Sequence, residues 1–198
     1  GRVQTCPHLL LEPQRTNLLT YSEDFSNAAW IKTSTTVNTN ASISPNGTLN
    51  ADSLFETANS ASHQIWKRPS MTAGQVYTQT FFIKSNGRRR VQLQIYDSTS
   101  VYASALYDVI SGTVISTNGT STIKNYGNGW YRCVISGISP TTSTGYCSVN
   151  LAQDNFTQAT SVDVYLGDVT KGIYIWGAQY EEGSYPTSYI VSNSGSAT

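Results

Sequence analysis

Short runs of alternating apolar and polar residues, separated by turn dipeptides, dominate the sequence from about residue 75 onward. The runs predicted to be strands are VYTQTFFIKS (76–85), RRVQLQIYD (89–97), VYASALYDV (101–109), GTVIS (112–116), WYRCVISGI (130–138), YCSVNLAQ (146–153), SVDVYLGDV (161–169) and GIYIWGAQYE (172–181). In the run RVQLQIY (90–96), apolar residues occupy every second position, as they do when one face of a strand packs on a core. Dipeptides such as Asn86-Gly87 and Asn128-Gly129 separate these runs. Beyond residue 60, no apolar stripe recurs at helical spacing. The pattern therefore predicts an all-β protein, built as an antiparallel β-sandwich or barrel.

The first sixty residues follow this pattern less closely. A short strand is predicted around NLLTYS (17–22), and the segment STTVNTNASI (34–43) alternates again. The segment HQIWKRPS (63–70) lacks strand periodicity, which predicts a loop there.

The chain has 198 residues, and no linker or internal repeat divides it. This predicts one domain over residues 11–191. Residues 1–10 are predicted to be an N-terminal connector, and residues 192–198 (SNSGSAT) a C-terminal tail.

The composition excludes two classes of partner. The chain carries 12 basic and 12 acidic residues, and its 26 Ser and 25 Thr make it polar through hydroxyl groups rather than charge. Nucleic acids and anionic membrane surfaces both require clustered cationic residues. No stretch approaches the ~18 consecutive apolar residues of a membrane span. We therefore expect no nucleic-acid partner and no membrane insertion.

Three cysteines, Cys6, Cys133 and Cys147, are too few for a disulfide scaffold and too scattered for a zinc site. If residues 130–150 form a hairpin, Cys133 and Cys147 could face each other and form a disulfide. The alternative, which we favour, is two buried thiols at inward-facing positions.

Three blocks of the sequence resemble a known family. They are LLLEPQRTNLLTYSEDFSNAAWIKT (9–33), MTAGQVYTQTFFIKS (71–85), and the pair YGNGWYRCVIS (126–136) with GIYIWGAQYEEGSYPTSYI (172–190). They resemble the jelly-roll modules of bacteriophage tail-fibre and tail-spike proteins, which are related to carbohydrate-binding modules of families 4, 9 and 22. The resemblance implies a jelly-roll β-sandwich that binds a polysaccharide or oligosaccharide. It also implies a virion or extracellular location and a homotrimer formed through a parent fibre.

Recognition of a sugar needs aromatic faces together with amide or guanidinium groups. Several predicted strands carry Gln, Asn and Tyr where an ordinary exposed face carries Lys and Glu, which fits a groove for a neutral ligand and plain exposed strands equally well. The family resemblance favours the groove. Trp66 is the leading candidate for an exposed stacking surface, whereas Trp30, Trp130 and Trp176 are predicted to lie in the core. The full set of candidate ligand-binding residues is Trp66, Arg90, Gln92, Gln94, Tyr96, Tyr102, Tyr126, Tyr146 and Asn150.

Arg90 belongs to the run Arg88-Arg89-Arg90, which follows the Asn86-Gly87 turn. A solvated hairpin end is the favoured interpretation of this run. A contact with an acidic polysaccharide is the alternative.

A structural calcium ion is the other element that the resemblance implies. Glu23, Asp24 and Asp52 match the positions at which the resemblance places its ligands. The acidic residue of the family's closing strand is Gln179 here, or is displaced to Glu181. Calcium needs several hard oxygen ligands. A turn or capping role for Glu23 and Asp24 is equally open.

No motif for catalysis stands out in the sequence. Glycoside hydrolysis needs two carboxylates that flank one bond, but Glu181 and Glu182 are adjacent and would point to opposite faces of a strand. His63 is interpreted as an ordinary loop residue. We predict a non-catalytic glycan-binding module. The alternatives are an assembly module of a viral fibre without sugar binding and, as a minor one, a polysaccharide lyase or hydrolase.

Overall fold

The computed structural model describes residues 12–195 and 197. The described residues contain no helix and therefore no membrane-spanning helix. The strands, in chain order, are β1 (Ile31–Thr33), β2 (Thr35–Ile43), β3 (Leu49–Glu56), β4 (Ser60–Ala61), β5 (His63–Lys67), β6 (Ser70–Met71), β7 (Val76–Asn86), β8 (Arg90–Tyr96), β9 (Val101–Asp108), β10 (Thr113–Asn118), β11 (Thr120–Gly127), β12 (Trp130–Ile138), β13 (Ser143–Thr144), β14 (Tyr146–Ala152), β15 (Tyr165–Leu166) and β16 (Gly172–Glu182).

Two six-stranded sheets make up the body of the molecule. Sheet A has the order β11-β12-β7-β16-β3-β2, and sheet B has the order β1-β5-β14-β8-β9-β10. All pairings within these sheets are antiparallel. The pairs β13–β6 and β15–β4 form two small sheets. The fold is an antiparallel β-sandwich of the jelly-roll type, which confirms the predicted fold class.

The core lies between the inner faces of the two sheets. Val91, Leu93 and Ile95 of β8, in sheet B, belong to the same buried cluster as Phe81 and Ile83 of β7, in sheet A. Phe25 and Trp30, which precede β1, add their rings to this core at a centroid separation of 5.0 Å. Burial of each large apolar side chain contributes about 1.5–3 kcal/mol. Alternation in the sequence therefore predicted the inward face correctly.

A second apolar cluster lies on the outer face of sheet A. It contains the buried Phe82, Trp130 and Trp176. The prediction that Trp30, Trp130 and Trp176 are structural is confirmed, since each is buried.

The two described cysteines lie in different sheets. Cys133 is on β12 of sheet A and Cys147 is on β14 of sheet B, and both are buried free thiols. The segment 130–150 is therefore not a hairpin, because the chain crosses from one sheet to the other after β12. Cys6 lies outside the described residues.

Three predictions about strands are wrong, and one of them is the strand around residues 17–22, which is absent. HQIWKRPS contains β5, which pairs with both β1 and β14. Its inward positions hold His63 and Lys67 beside Ile65, so the apolar periodicity is hidden by polar residues that have internal partners. The His63 ring nitrogens lie 2.7 Å from the Ser34 carbonyl oxygen and 3.2 Å from that of Tyr165. Conversely, the alternating run SVDVYLGDV (161–169) forms only the short strand β15.

The expected C-terminal tail begins with residues that belong to the sandwich. The Ser22 and Ser192 backbones are hydrogen-bonded, and Ser192 is buried. Farther along, Asn17 forms an antiparallel bridge with Ala197. These contacts hold residues 17–22, which form no strand of their own, against the C-terminal segment. The predicted connector 1–10 lies outside the described residues.

A buried ion pair joins three separate segments of the chain. The Arg88 guanidinium donates to Glu56 through Nε at 2.5 Å and through Nη2 at 2.9 Å. The Tyr165 hydroxyl and the Asp168 amide also donate to this carboxylate, at 2.6 and 2.9 Å. Arg89 pairs with Asp108. The interpretation of this run as a solvated hairpin end is therefore wrong for Arg88, which is buried, whereas Arg89 is partly exposed beside its carboxylate partner.

We predict that Glu56→Gln lowers the free energy of unfolding by about 3–5 kcal/mol, because it leaves the Arg88 guanidinium buried without a counter-charge. Urea denaturation at neutral pH measures this change. Glu182→Gln, which alters an exposed carboxylate, is the matched control and should behave as the wild type. Equal stability of Glu56→Gln and the wild type would contradict the role of the pair.

The same variant makes the stability less dependent on pH. Burial raises the pKa of Glu56, but hydrogen bonds from Arg88, Tyr165 and the Asp168 amide outweigh it, so the pKa is lowered overall. The stability that this carboxylate contributes is present above its unfolded pKa and is lost as the pH falls through the folded one. Between about pH 5 and pH 3, the wild type should therefore lose stability more steeply than Glu56→Gln.

Candidate functional site

The outer face of sheet B collects most of the predicted ligand-binding residues. Strand pairing places Trp66, Ser148 and Gln94 side by side in one row across β5, β14 and β8. Tyr146 and Tyr96 form the adjacent row. Because paired residues of neighbouring strands point to the same side, these five side chains share the face that lies away from the core.

A loop covers the centre of this face. The Gln92 side-chain amide donates to three carbonyl oxygens of the loop 153–164: Gln158 at 3.2 Å, Ala159 at 2.6 Å and Ser161 at 2.8 Å. Gln94 donates to the Ala159 carbonyl at 3.3 Å. Both glutamines are buried. The expectation that they lie open to solvent is wrong, because their amides hold the loop.

Asn150 and Arg90 also lie at this loop-covered region. Asn150 is buried, and its amide donates to the Ser148 hydroxyl at 3.1 Å. Its Oδ1, like Gln92 Oε1, is buried and accepts no hydrogen bond within the described part of the chain. Arg90 donates from Nε to the Asp154 carbonyl at 3.3 Å. In this conformation the loop, and not a ligand, occupies the amide-rich part of the face.

Beyond the loop, three aromatic side chains form a partly exposed cluster, which we call the aromatic cluster: Trp66, Tyr96 and Tyr146. The two tyrosine rings stack, with centroids 4.6 Å apart and an interplanar angle of 7°. The Trp66 ring meets Tyr146 edge-on at 5.1 Å. Such packing fixes the orientation of the rings before a ligand arrives.

Arg68 extends the cluster toward solvent. Its guanidinium lies over the Tyr146 ring, 4.8 Å from the centroid, and donates to the Thr144 hydroxyl at 3.2 Å.

Burial raises the pKa of the Tyr96 hydroxyl to about 12, with further contributions from Tyr146 and Cys147. Tyr96 therefore keeps its proton, and with it a hydrogen-bond donor, throughout the physiological range.

A groove of about 400 Å³ adjoins Trp66 at the edge of sheet B, and we call it the edge groove. The pairing of β1 with β5 begins at Ile31 and Trp66, so residues 67–69 have no strand neighbour on that side and the groove opens there. The N-terminal segment, including Leu18 and Ala29, forms the opposite wall. The groove therefore offers an apolar surface that continues from the Trp66 indole.

Lys67 supplies a polar group to the edge groove. Its ammonium donates to the Thr20 carbonyl and, at 2.6 Å, to the Thr20 hydroxyl, and it lies over the Trp30 ring at 4.9 Å. Desolvation lowers the pKa of Lys67 to about 8, against an opposing effect of the neighbouring Cys147. The Lys67 ammonium is therefore held by neutral oxygen atoms and an aromatic ring, and it has no carboxylate partner in the described part of the chain.

Two predicted residues lie elsewhere. Tyr102 is at the start of β9, where its hydroxyl is 3.2 Å from that of Thr141. Tyr126 is on β11 of sheet A, on the other side of the molecule, where its ring meets Phe82 edge-on at 4.9 Å. Neither belongs to the aromatic cluster.

The sequence analysis missed Arg68 and Ile31 as parts of this site. Arg68 follows Trp66 by two positions, the spacing that keeps two residues on one face of a strand, so the prediction of β5 as a loop concealed it. Ile31 is exposed beside Trp66 only because β1 pairs with β5, a pairing that no local pattern reveals.

The three carboxylates expected to bind calcium do not form a ligand set. Both Asp52 oxygens accept backbone amides, from Phe25 at 2.9 Å and from Asn40 at 3.0 Å. Asp24 accepts from the Asn27 amide at 3.1 Å, as in a turn. Glu23 accepts from the Asn50 amide group at 2.9 Å.

Lys32 supplies the positive charge near these carboxylates. Its ammonium donates to the Ser26 and Asn27 carbonyls at 2.7 and 2.8 Å. In the described ranges, no group of three or more His, Cys, Asp or Glu side chains could hold a metal ion. The structural calcium ion therefore stays a prediction, and we derive no role for it.

The edge groove lacks the groups that hydrolysis requires. Among the described residues that line it there is no carboxylate. The adjacent Glu181 and Glu182 are respectively buried and exposed, on opposite faces of β16. The arrangement can bind a ligand by stacking and hydrogen bonding, but it holds no acid–base pair.

No protein-family model and no curated protein matches this sequence. The fold is similar to that of the carbohydrate-binding module TmCBM61, solved with β-1,4-galactotriose, at a TM-score of 0.50 and 15% identity, over 84% of this chain and 99% of that one. It is also similar to a CBM22-1–GH10 structure of Clostridium thermocellum xylanase 10B, solved with xylohexaose, at a TM-score of 0.50 and 13% identity. That match covers 89% of this chain and 30% of the xylanase chain.

Tailspike protein 4 of bacteriophage CBA120 matches more weakly, at a TM-score of 0.48 and 13% identity over 84% of this chain and 21% of that chain. The structural neighbours thus include carbohydrate-binding modules. These likenesses establish a shared β-sandwich fold.

We predict that Trp66 dominates collisional quenching of tryptophan fluorescence by acrylamide, because Trp30, Trp130 and Trp176 are all buried. Trp66→Phe should remove most of the quenchable emission. Trp176→Phe, which removes a buried indole, is the control and should leave the quenchable fraction nearly unchanged. An unaltered quenching curve for Trp66→Phe would show that the indole is not accessible.

Proposed function

We propose that this chain is a glycan-binding module, and that its ligand lies across the aromatic cluster and into the edge groove. The observation that carries this proposal is the partly exposed Trp66 indole, held in place by Tyr146 and continuous with a groove of about 400 Å³. That volume lies within the range of about 300–1,000 Å³ typical of ligand pockets.

The chemistry of this surface suits a sugar. The apolar C–H face of a pyranose ring packs on an aromatic ring, and its hydroxyl groups take hydrogen bonds from planar or charged donors at the edge. Trp66 provides the ring, while Arg68 and the neutral Tyr96 hydroxyl provide donors beside it. Lys67 is buried against Thr20 and Arg68 lies over the Tyr146 ring, so the surface that this site offers to a ligand is mainly aromatic and apolar.

A linear, neutral oligosaccharide is the ligand we favour. The structural neighbours with a TM-score of 0.50 were solved with β-1,4-galactotriose and xylohexaose. A groove that is open at the edge of a sheet can accept an inner segment of a chain as well as its end. We expect weak binding at one site, strengthened when several copies engage the same polysaccharide.

The setting of the module is a finer part of the proposal. The block resemblance to phage tail-fibre and tail-spike modules supports a place in a bacteriophage tail protein, on the virion or outside the cell, with homotrimer formation through the parent fibre. This part rests on the sequence resemblance alone.

A second candidate function, assembly, has an observation of its own. Val164, Leu166 and Val169 are 63%, 70% and 60% exposed, close together along the chain. Exposed apolar residues in such a group are typical of protein–protein contacts. In this alternative, the module contacts sister subunits or adjacent fibre segments through residues 164–169.

We predict that Trp66→Ala weakens binding of galacto- or xylo-oligosaccharides about tenfold or more, equivalent to ~1.4 kcal/mol, because it removes the stacking surface. Isothermal titration calorimetry measures the affinity. Tyr185→Ala, which removes an exposed tyrosine outside the cluster, is the matched control. Binding that is equal in Trp66→Ala and the wild type would contradict the assigned site, and no binding to any neutral glycan would contradict the function.

Multi-angle light scattering tests the assembly alternative. That alternative predicts a stable oligomer that Leu166→Ser dissociates, because a polar side chain replaces an exposed apolar contact. If the wild-type protein is monomeric at all concentrations, residues 164–169 do not contact a sister subunit, and this result would favour glycan binding.

A further inference from the structure

The outer face of sheet A carries a second groove, which lies on the other sheet of the sandwich from the aromatic cluster. Strand pairing sets Lys124, Arg132, Phe82 and Trp176 in one row across β11, β12, β7 and β16. Two cavities, of about 510 and 390 Å³, adjoin along this face and share Tyr126. Together we call them the cationic groove.

Arg132 is the central feature of the cationic groove. It is only 7% exposed, yet the described residues place no carboxylate within ion-pair distance of it, since their two ion pairs are Arg88–Glu56 and Arg89–Asp108. Nη2 donates to the Thr187 carbonyl at 2.9 Å and to the Thr80 hydroxyl at 3.3 Å, and buried Nε has no acceptor. A buried cation without a counter-charge is costly, and an anionic ligand would compensate it.

Two lysines line the same groove, and aromatic rings, not carboxylates, lie beneath their ammonium groups. Lys124 Nζ is 5.5 Å from the Tyr126 centroid, and Lys84 Nζ is 5.8 Å from that of Tyr174. Arg132 likewise lies over the Phe82 ring at 5.4 Å. The three cations therefore remain available to an incoming anion.

The carboxylates near this face are engaged with other groups. Glu12 lines the groove, and its Oε2 accepts the Ser188 amide at 2.8 Å. Glu181 is buried and accepts from the Thr187 amide and hydroxyl at 2.9 and 2.7 Å. Glu23 interacts with the Tyr189 hydroxyl. Against three cations, Glu12 is the single acidic residue among the described residues that line the two cavities.

Aromatic side chains give this groove a surface for a ring as well as for a charge. Tyr126 is 42% exposed between the two cavities. Tyr189 packs on Trp176 at 4.6 Å, and buried Trp176 Nε1 donates to no acceptor in the described ranges. Cations beside an exposed aromatic ring match a ligand that has both an anionic group and a ring with an apolar face.

We propose that the cationic groove is a second saccharide site, and that it binds a sugar bearing a carboxylate or sulfate group. Arg132 and Lys124 contact the anionic group, Lys84 contacts the next anionic unit of the chain, and the sugar ring lies on Tyr126. This site goes beyond the neutral-glycan function and does not depend on it.

Titration of the intact chain with three oligosaccharides of matched length tests this proposal. The probes are an oligogalacturonate, a sulfated galacto-oligosaccharide and a neutral galacto-oligosaccharide. We expect the wild type to bind at least one anionic probe, and the Lys84→Ala/Lys124→Ala double variant to bind it at least tenfold more weakly. Binding should also weaken as salt is raised, because salt screens the attraction. The two anionic probes distinguish carboxylate from sulfate as the recognised group.

Three controls separate this site from the aromatic cluster. Lys171→Ala, which removes a lysine outside both cavities, should bind as the wild type. Trp66→Ala should retain binding of the anionic probe, and the double-lysine variant should retain binding of the neutral one. The proposal is overturned if neither anionic probe binds, if the double variant binds unchanged, or if free sulfate alone binds as tightly as the sulfated probe. If Trp66→Ala binds the neutral probe as tightly as the wild type does, that result would contradict the neutral-glycan site only.

Discussion

The hydrogen bonds from the Gln92 amide to the loop 153–164 decide which part of sheet B a ligand can reach. They fix a segment without regular structure across the centre of the outer face, so that β8 and β14 are buried on both sides. Beyond the loop, Trp66, Tyr96 and Tyr146 remain partly exposed on the same face. The position of the site thus depends on where side-chain amides of the sheet form hydrogen bonds to the protein's own loop instead of to a ligand.

The two outer faces of the sandwich differ in the number of cations beside their aromatic rings. On sheet B, Arg68 is the cation beside the aromatic cluster, where it lies over the Tyr146 ring and donates to the Thr144 hydroxyl. On sheet A, Arg132 is buried with an unpartnered Nε, and two lysines rest on rings. Because the two faces point away from each other, one module could hold two saccharide chains of different charge. Such a module would crosslink them or adhere to a mixed polysaccharide more strongly than either site alone.

Much of the fold, and part of the site, could be predicted from sequence. Period-two alternation identified β7, β8, β9, β12, β14 and β16, because inward apolar residues there meet a common core. It failed at β5, where His63 and Lys67 are buried polar residues with internal partners. The same alternation placed Gln92 and Gln94 on the outer face, but it could not show that a loop 60 residues later in the chain covers them. Arg132 looked ordinary as well, since the absence of a counter-charge is visible only in three dimensions.

Heteronuclear NMR of the tryptophan indoles tests the central claim most directly, because each indole N–H gives its own resonance. During titration with a neutral galacto-oligosaccharide, the account predicts that the Trp66 indole signal shifts most, while those of Trp30, Trp130 and Trp176 stay close to their free positions. A titration that saturates while the Trp66 signal stays fixed, or one in which a buried indole shifts instead, would contradict the placement of the glycan on the aromatic cluster.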